Sequence, residues 1–440
     1  MNQFAFKTGS SVAGSRFSSH LKKAPTNFWG SETAQIKIFN QLTEAFSVTL
    51  FGNSIGINCK LQPSDLPYLP LTDYHNYEPF LGAIKNGSLN VLWPGKPLFM
   101  AITSGTIEGK KYIPVTKDSL ANQFLGPSLS IASLIKIYGK KKILDSPPLT
   151  FGDAPLPERF GLLKAGPLSA MLAYYMPVWA RNFSYPTFKT RCIKTFQERI
   201  LAIAAEIEKN PPNVIVAMPP WLREFLLHLS KPLLSKLIDK KPVLLLSGMN
   251  PLPYIEQFKS ILSYQPEYLE TYPASEGFFG WQDEPNKDIR LLVHNGIFYE
   301  LLTDDIKGKC LPLINCVLGD KGELIVTTNA GLFRYKTGDL VEITDINPFR
   351  IKILGRSKQT LVGFGEHLTV LILTPQFILL MRNSMLASAN MLLLPLLCTR
   401  IKKPITYGFW KLITKFPSLY WQINCTPSFV LLTGVTTILL

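Results

Sequence analysis

Three short segments hold the residue types that handle phosphate, metal and ribose. Thr103-Ser104-Gly105-Thr106-Ile107-Glu108-Gly109-Lys110-Lys111 puts hydroxyls, glycines and lysines directly after the apolar run LFMAIT. Such a loop after a strand offers backbone N–H groups and hydroxyls to a phosphate, with lysines for charge. It is not a Walker A loop, because GxxxxGK[ST] is absent. Taken alone, it reads equally well as a surface turn. Tyr272-Pro273-Ala274-Ser275-Glu276-Gly277-Phe278-Phe279-Gly280 places a carboxylate at a strand end, ahead of paired aromatics. That order suits a metal–phosphate site beside a flat base. By itself it is more simply a strand-to-turn junction with its phenylalanines in the core. In Phe333-Arg334-Tyr335-Lys336-Thr337-Gly338-Asp339, an Asp at a strand start can accept two hydrogen bonds from a ribose diol; the simpler alternative is an ordinary turn. Gly355-Arg356-Ser357 and Gly363-Phe364-Gly365-Glu366 have the dihedral freedom of a hinge, or of two tight turns.

The order of these segments is more specific than any one of them. SGT…K, YxASEG, YxTGD and GR, at these gaps, resemble the acyl-adenylate-forming enzymes. Within that superfamily the chain is similar to the auxin-responsive (Gretchen Hagen type) acyl-acid amido synthetases and their bacterial relatives. PLTDYHNYEPFLGAIKNGSLNVLWPGKPLFMAITSGT, the AMPPW segment and SEGFFG carry the likeness, which covers roughly residues 30–368. The resemblance implies that ATP and a small carboxylic acid form an acyl-adenylate and pyrophosphate. An amine, expected to be an amino acid, then attacks it to give an amide. Thr103, Ser104, Gly105 and Thr106 would hold the phosphates. Glu276 would ligate Mg²⁺, with Ser275 near the adenylate; both are implied as catalytic, together with His367. Tyr272 and Phe278 would flank the nucleotide, Asp339 would bind the ribose, and Arg356 would mark the hinge. Two positions depart from the pattern. Ile107 stands where the family usually has Thr or Ser, and His367 where many relatives carry Lys.

These segments need elements to position them. A helix is expected after residue 30, a loop over Pro70–Pro79, a helix from Tyr77 to Lys85, and a helix from Lys117 to Tyr138 broken at Pro127. A longer helix is expected from Pro186 to Lys209. VIVAM, WLREFLLHL, VLLLSG, YIEQFKSILSY and EYLETY then alternate strand and helix, which argues for a parallel α/β sheet. After residue 290 the text is β-rich. Asn295-Gly296 signals a hairpin, and GELIVTT, DLVEIT and FRIKILG read as strands of a barrel-like or antiparallel part. The expected class is α/β. The resemblance implies a large adenylate-forming domain over residues 1–355 and a hinge with the start of the C-terminal domain over 356–369, and residues 370–440 are expected to be an aberrant apolar tail, not a native domain.

Composition closes off other classes. The chain has 440 residues, 46% hydrophobic, which excludes disorder as the dominant state. Six scattered cysteines without CxxC suit free thiols in a reducing cytosol, so a cytoplasmic location is expected. The first residues lack the apolar core of a secretory signal. The net charge of +15 is not a nucleic-acid footprint, because no recognition motif accompanies the lysine runs. Residues 1–366 hold all 31 acids and 40 bases, net +9, whereas residues 367–440 hold six bases and no acid. Residues 371–398 are apolar but interrupted by Pro375, Arg382, Asn383, Asn390 and Pro395, so membrane attachment is disfavoured. A monomer is expected.

The resemblance stops near Thr369, where the family continues with a mobile C-terminal domain of ~100 residues or more. Only 71 residues follow here, in unrelated text. Three readings are open: an amido synthetase impaired by loss of that domain, a non-catalytic remnant that at most binds nucleotide, and a membrane-attached protein. The tail is expected to be an out-of-frame reading of the missing domain. Reading the nucleotide sequence near codon 369 in the other two frames should restore charged text continuing the family pattern. Two alternative frames without such text, together with a protease-resistant tail, would remove the idea.

Overall fold

The computed structural model describes residues 32–57, 61–105, 109–303, 310–357, 360–363 and 366–369. The chain divides into two units, Met1–Ile353 and Leu354–Leu440. The tail from residue 370, and with it the frame question, lies outside the described residues.

The first unit opens with helix α1 (Glu32–Phe46). Its buried residues, Gln35, Ile38, Phe39, Leu42, Thr43 and Phe46, recur at three- and four-residue spacing and so form one face. Strands β1 (Phe99–Gly105) and β2 (Gly109–Val115) form an antiparallel hairpin. Helix α2 follows (Lys117–Tyr138), capped by Thr116, whose hydroxyl accepts from Ser119 N. Pro127 does not break it, contrary to expectation. The preceding residue is Gly126, which lacks the Cβ that a proline ring crowds. Hydroxyls of Ser128 and Ser130 bond the Phe124 and Gly126 carbonyls. A Cβ at Gly126 would lie 2.2 Å from the Phe278 ring, so packing also holds this turn in place.

Strand β3 (Leu149–Thr150) starts the large sheet. Strands β4 (Glu158–Phe160) and β5 (Leu163–Pro167) complete a four-stranded sheet of order β2-β1-β5-β4. The helix expected over 186–209 is two pieces, Phe188–Arg191 and α3 (Phe196–Ile207). Thr187 N and the hydroxyls of Thr187 and Thr190 all donate to the Glu206 carboxylate, which folds the first piece against the second.

Strands β6 (Val214–Ala217), β7 (Val243–Ser247) and β8 (Tyr268–Pro273) continue from β3 in parallel, as the alternation requires. Their continuous apolar text fits burial on both faces. Ile215, Leu244 and Leu246 face α3 and its neighbours Pro219–Leu227 (α4), Lys231–Lys240 (α5) and Leu252–Leu262 (α6). Val214, Val243, Leu245 and Leu269 cluster with Leu134 of α2.

The sheet then turns antiparallel through β9 (Phe278–Trp281), β10 (Ile289–Leu291), β11 (Ile297–Thr303), β12 (Cys310–Pro312), β13 (Lys321–Thr328), β14 (Leu332–Ile346) and β15 (Phe349–Arg356). The order is β12-β11-β13-β14-β15-β10-β9-β8-β7-β6-β3. The β-rich part is therefore an antiparallel extension of the same sheet. The hairpin expected at Asn295-Gly296 does not form. β10 pairs with β9 and β15, and β11 with β12 and β13. The connecting chain is tied to α1 instead: Gln35 Nε2 donates to the carbonyls of Val293 and Ile297, and Tyr299 N donates to Gln35 Oε1.

Arg334 on β14 is buried in a bidentate pair with Glu300 on β11, at 3.0 and 2.8 Å, and its Nη1 donates to the Leu66 and Leu69 carbonyls. Removing one partner of a buried pair strands the other charge. Glu300→Gln should cost on the order of 3–5 kcal/mol in urea denaturation, and Glu300→Leu combined with Arg334→Met should recover part of that loss. An unchanged midpoint for Glu300→Gln would contradict this.

In the second unit, β16 (Thr360–Gly363) and β17 (Glu366–Thr369) pair antiparallel, with Val362 opposite His367.

Candidate functional site

The segment over Pro70–Pro79 is a pair of single 3₁₀ turns, Tyr74–Asn76 and Glu78–Phe80, ahead of a short helix, Leu81–Lys85. The helix expected from Tyr77 thus starts four residues late. Pro79 has no N–H, and Asp73 draws the first turn tight by accepting from His75 N.

Thr72 docks this segment on β14. Its N donates to the Arg334 carbonyl and its own carbonyl accepts from Lys336 N, both at 2.9 Å, which makes a one-residue parallel bridge to Tyr335. Three further bonds converge on Phe333. The Thr72 hydroxyl donates to its carbonyl at 2.5 Å, the Tyr77 hydroxyl lies 3.2 Å from the same oxygen, and Phe333 N donates to Tyr77 Oη at 2.9 Å. Burial keeps the Tyr77 phenol neutral by raising its pKa. Three residues before Tyr77, Tyr74 Oη accepts from Tyr112 N on β2 at 2.9 Å. Lys111 Nζ lies 5.4 Å above the Tyr74 ring. One loop therefore ties the β1–β2 hairpin to the strand that carries Asp339.

Thr103, Ser104 and Gly105 lie on strand β1, opposite Lys111, Lys110 and Gly109. The expected loop is thus a hairpin arm, and Thr106, with Ile107 and Glu108, lies outside the described residues. Thr103 is half-buried. Lys110 pairs with Glu158 at 3.4 Å in the open.

Ser275 and Glu276 sit half-buried on the turn between β8 and β9. Ala274 N donates to the Gly277 carbonyl at 2.9 Å, and Gly277 N returns the bond at 3.2 Å. Gln123 of α2 donates Nε2 to the Ala274 carbonyl at 2.8 Å, which fixes the turn from below. The Glu276 charge reaches Tyr335, whose phenol is held neutral first by burial and then by Glu276. Among the described residues no three His, Cys, Asp or Glu gather as a metal cage. A Mg²⁺ carried by phosphates needs only one or two carboxylates, which Glu276 can begin to supply.

Asp339 is in the middle of β14, not at its start. Glu323 pairs with Leu340 and Ile325 with Lys336, so Leu324 alone faces Thr337, Gly338 and Asp339. This bulge depends on Gly338, at φ +80°. Thr337 Oγ1 accepts from Asp339 N at 3.1 Å, and Glu323 Oε1 from Gly338 N at 2.9 Å. The bulge turns the Asp339 carboxylate toward β8, where the Tyr272 hydroxyl donates to Oδ2 at 2.5 Å.

Phe278 corrects the expectation. Its ring is 2% exposed and packs with Leu129, Trp281 and Leu292 beneath Gly126, so it cannot flank a nucleotide. The strand register turns it into the core, the simpler alternative its motif allowed. Arg356 is an exposed residue of the second unit, as is the backbone position of His367 on β17 a part of that unit. Sequence reasoning gave no role to Thr72, Tyr74, Tyr77, Arg334 or Gln123. PLTDYHNYEP marked the place of the first three by its turn chemistry but not what they would touch.

Residues 30–148 match the GH3 family N-terminal domain, and residues 290–356 match the GH3 family central domain. Both matches are to models of the GH3 family. It is similar to the indole-3-acetic acid-amido synthetase GH3.10 of Arabidopsis thaliana, 22% identical over 366 aligned positions that cover 63% of this chain. The chain spans 61% of the length of that relative. Its fold matches the solved GH3.15 acyl acid amido synthetase with a TM-score of 0.66 at 16% identity, over 82% of this chain and 75% of the other. The complex of AtGH3.15 with 2,4-DB matches with a TM-score of 0.65 at 16% identity, over 84% and 76%. The chain thus has the fold of the GH3.15 acyl acid amido synthetase. No helix among the described residues is long and apolar enough to cross a membrane.

Glu270, two residues before Tyr272 on the same face of β8, gives a pH test of this region. Burial, and then the charge of Asp288, push its carboxyl up to about 7. A carboxyl raised on folding contributes most below its unfolded value, and that contribution is lost as pH rises through the folded value. Stability should therefore fall between about pH 4.5 and 7, by on the order of 3 kcal/mol, and Glu270→Gln should abolish the fall. Urea midpoints at pH 5 and 8 check this; parallel profiles for both proteins would contradict it.

Proposed function

We propose that this chain is a GH3-type enzyme that carries the machinery for ATP-dependent ligation of a small carboxylic acid to an amine, expected to be an amino acid. The observation that carries the reading is the bond from Tyr272 to Asp339, which joins the YPASEG and YKTGD segments at one place, beside Tyr335 and Glu276. Segments more than 60 residues apart in sequence meet at the end of β8, the last parallel strand. Ligands of open α/β sheets bind beyond the carboxyl ends of such strands.

In this reading the acid's carboxylate oxygen attacks the α-phosphorus of ATP. The bond to the bridging oxygen breaks, and pyrophosphate leaves. The amine nitrogen then attacks the acyl carbon, AMP departs, and the amine releases a proton. Asp339 holds the ribose hydroxyls, and Thr103, Ser104, Gly105 and Thr106 hold the phosphates. Glu276 would hold Mg²⁺, which when bound would neutralise phosphate charge, and Ser275 would lie near the adenylate. His367 and Arg356 belong to the hinge side of the cycle. The chemistry is mostly positioning and charge neutralisation, which is what tightly held turns supply. The similarity to GH3.10 and GH3.15 supports amide formation as the second step.

Glu276→Gln is the direct test. It should weaken Mg²⁺-dependent ATP binding and remove ATP–pyrophosphate exchange across a panel of aryl and indolyl carboxylic acids, a loss on the order of several kcal/mol. Titration calorimetry and exchange assays on both proteins decide it. Equal affinity and equal exchange would sink the assignment.

A further inference from the structure

We infer that the carboxylic acid taken by this site is a hydroxyaryl acid, and that Arg199 and Asp153 select the hydroxyl at its far end. The inference rests on the adenylate-forming reading above and deepens it by naming the class of acid.

Arg199 leads there. Among the described residues five arginines are buried: Arg191, Arg199, Arg290, Arg334 and Arg350. Arg290 and Arg350 share Asp283, and Arg334 pairs with Glu300. Arg191 donates to the Pro186, Thr150 and Tyr185 carbonyls and to the Thr150 and Ser184 hydroxyls. Arg199 is 7% exposed, yet among the described residues it makes one hydrogen bond, from Nη1 to the Ile193 carbonyl at 3.0 Å, and no ion pair. A guanidinium has five N–H groups, and buried charge is costly unless they are answered. Burial lowers the pKa of Arg199, and the charge of Asp153 counters this, so the two side chains are charged neighbours.

The fold brings both groups to the edge of the sheet where a substrate is expected. Asp153 lies just beyond β3, which runs parallel to β6, so it stands at the carboxyl end of these strands. Helix α3 leads into β6, and its first turn, with Phe196 and Arg199, returns to that same end. Helix α4 starts there too, with Trp221 of the AMPPW segment. The Phe196 and Trp221 rings are 6.1 Å apart, and the Arg199 guanidinium is 5.7 Å from the Phe196 ring. Phe196, Trp221 and Asp153 are half-buried rather than sealed in the core. The order β8-β7-β6-β3 sets this cluster three strand spacings, about 14 Å, from the Ser275–Glu276 turn, along the edge where ligands of open α/β sheets bind. An acid activated at the end of β8 extends toward it.

The chemistry of the pair names the group. A guanidinium only donates, and an ionised carboxylate only accepts. Ser169 holds Asp153: its hydroxyl donates to Oδ2 at 2.7 Å, and its Oγ accepts from Asp153 N at 3.0 Å. A second carboxylate on the acid would meet Asp153 as a like charge, and an ammonium would meet Arg199. A hydroxyl accepts from Arg199 and donates to Asp153, with no charge of its own to desolvate. The aromatic pair beside Arg199 suits a ring as its carrier.

The test is the preference among acids that share one skeleton: phenylalkanoic acids of graded chain length, with their para-hydroxyphenyl and para-carboxyphenyl forms. ATP–pyrophosphate exchange by the full chain gives kcat/KM for each, in wild type, Arg199→Met and Asp153→Asn. Wild type should prefer the hydroxyphenyl acid over each of the others by about tenfold, as for a hydrogen bond to a charged group. Arg199→Met replaces a buried charge by an apolar group of similar length, a change that buried sites often accept. It should bring the hydroxyphenyl-to-phenyl ratio to about one, through lost kcat/KM with the hydroxyphenyl acid. Asp153→Asn should lower the same ratio and raise the carboxyphenyl acid above the phenyl acid, because Arg199 then meets the added carboxylate without a like charge beside it. That reversal serves if Arg199→Met does not fold. Unchanged ratios in both variants overturn the inference, and equal loss for all three acids does so by assigning Arg199 to structure. A wild type that exchanges all three acids at one rate overturns it while the adenylate-forming reading stands. Exchange with none of them overturns it too, and equal ATP affinity in wild type and Glu276→Gln then tells that the parent reading has fallen with it.

Discussion

The site depends on the docking of Thr72 and Tyr77 on the main chain of Phe333. That residue is fully buried, and its N–H and carbonyl face a loop rather than a neighbouring strand. Unpaired, each group would carry a desolvation penalty of about 1–3 kcal/mol. Two hydroxyls remove that penalty while holding the loop to within hydrogen-bond tolerance of β14. The Tyr77 ring is locked by stacking on Phe51, with centroids 4.6 Å apart. From this fixed point the loop reaches Tyr112 through Tyr74. The hairpin with the hydroxyl residues and the strand with Asp339 share one anchor.

A second constraint is where the sheet changes character. β8 runs parallel to β7 on one side and antiparallel to β9 on the other. Its end is therefore free to turn back within four residues and present Ser275 and Glu276 at a tip. Packing from below fixes the tip. Phe278 fills the space that Gly126 leaves, and Gln123 holds the Ala274 carbonyl from the same helix. Helix α2 thus supports the turn with an apolar contact and a polar one, three residues apart. Pro127 survives in that helix because its neighbours answer to the same contact.

Buried charge is used for support. Arg334 neutralises Glu300 and gathers the carbonyls at the end of the 3₁₀ segment Pro63–Tyr68. Asp283 joins Arg290 and Arg350 across β10 and β15 at 2.6 and 2.8 Å. Both clusters join strands far apart in sequence, where a polar group without its partner would be costly. They tie strands of the antiparallel half together, whereas apolar clusters line both faces of the parallel half.

The sequence by itself determined the class of the fold and the identity of the motifs. VIVA, VLLL and the amphipathic helices between them state their period locally, and local period needs no partner to be read. The residue types at Thr103–Gly105, Glu276 and Asp339 likewise show what chemistry they can do. Tertiary structure alone decided which strand each strand would join and which way each side chain would point. Asn295-Gly296 has the turn chemistry of a hairpin, yet Gln35, more than 250 residues away, takes the backbone groups around it. Phe278 and Tyr272 are aromatic residues of one motif, but the register buries one beneath Gly126 and aims the hydroxyl of the other at Asp339. No local rule separates them, because the difference lies in what packs on each face. The same holds for Thr72 and Tyr77. Their turn is legible in the sequence, while their partner, a buried main-chain segment of a distant strand, exists only once the sheet has formed.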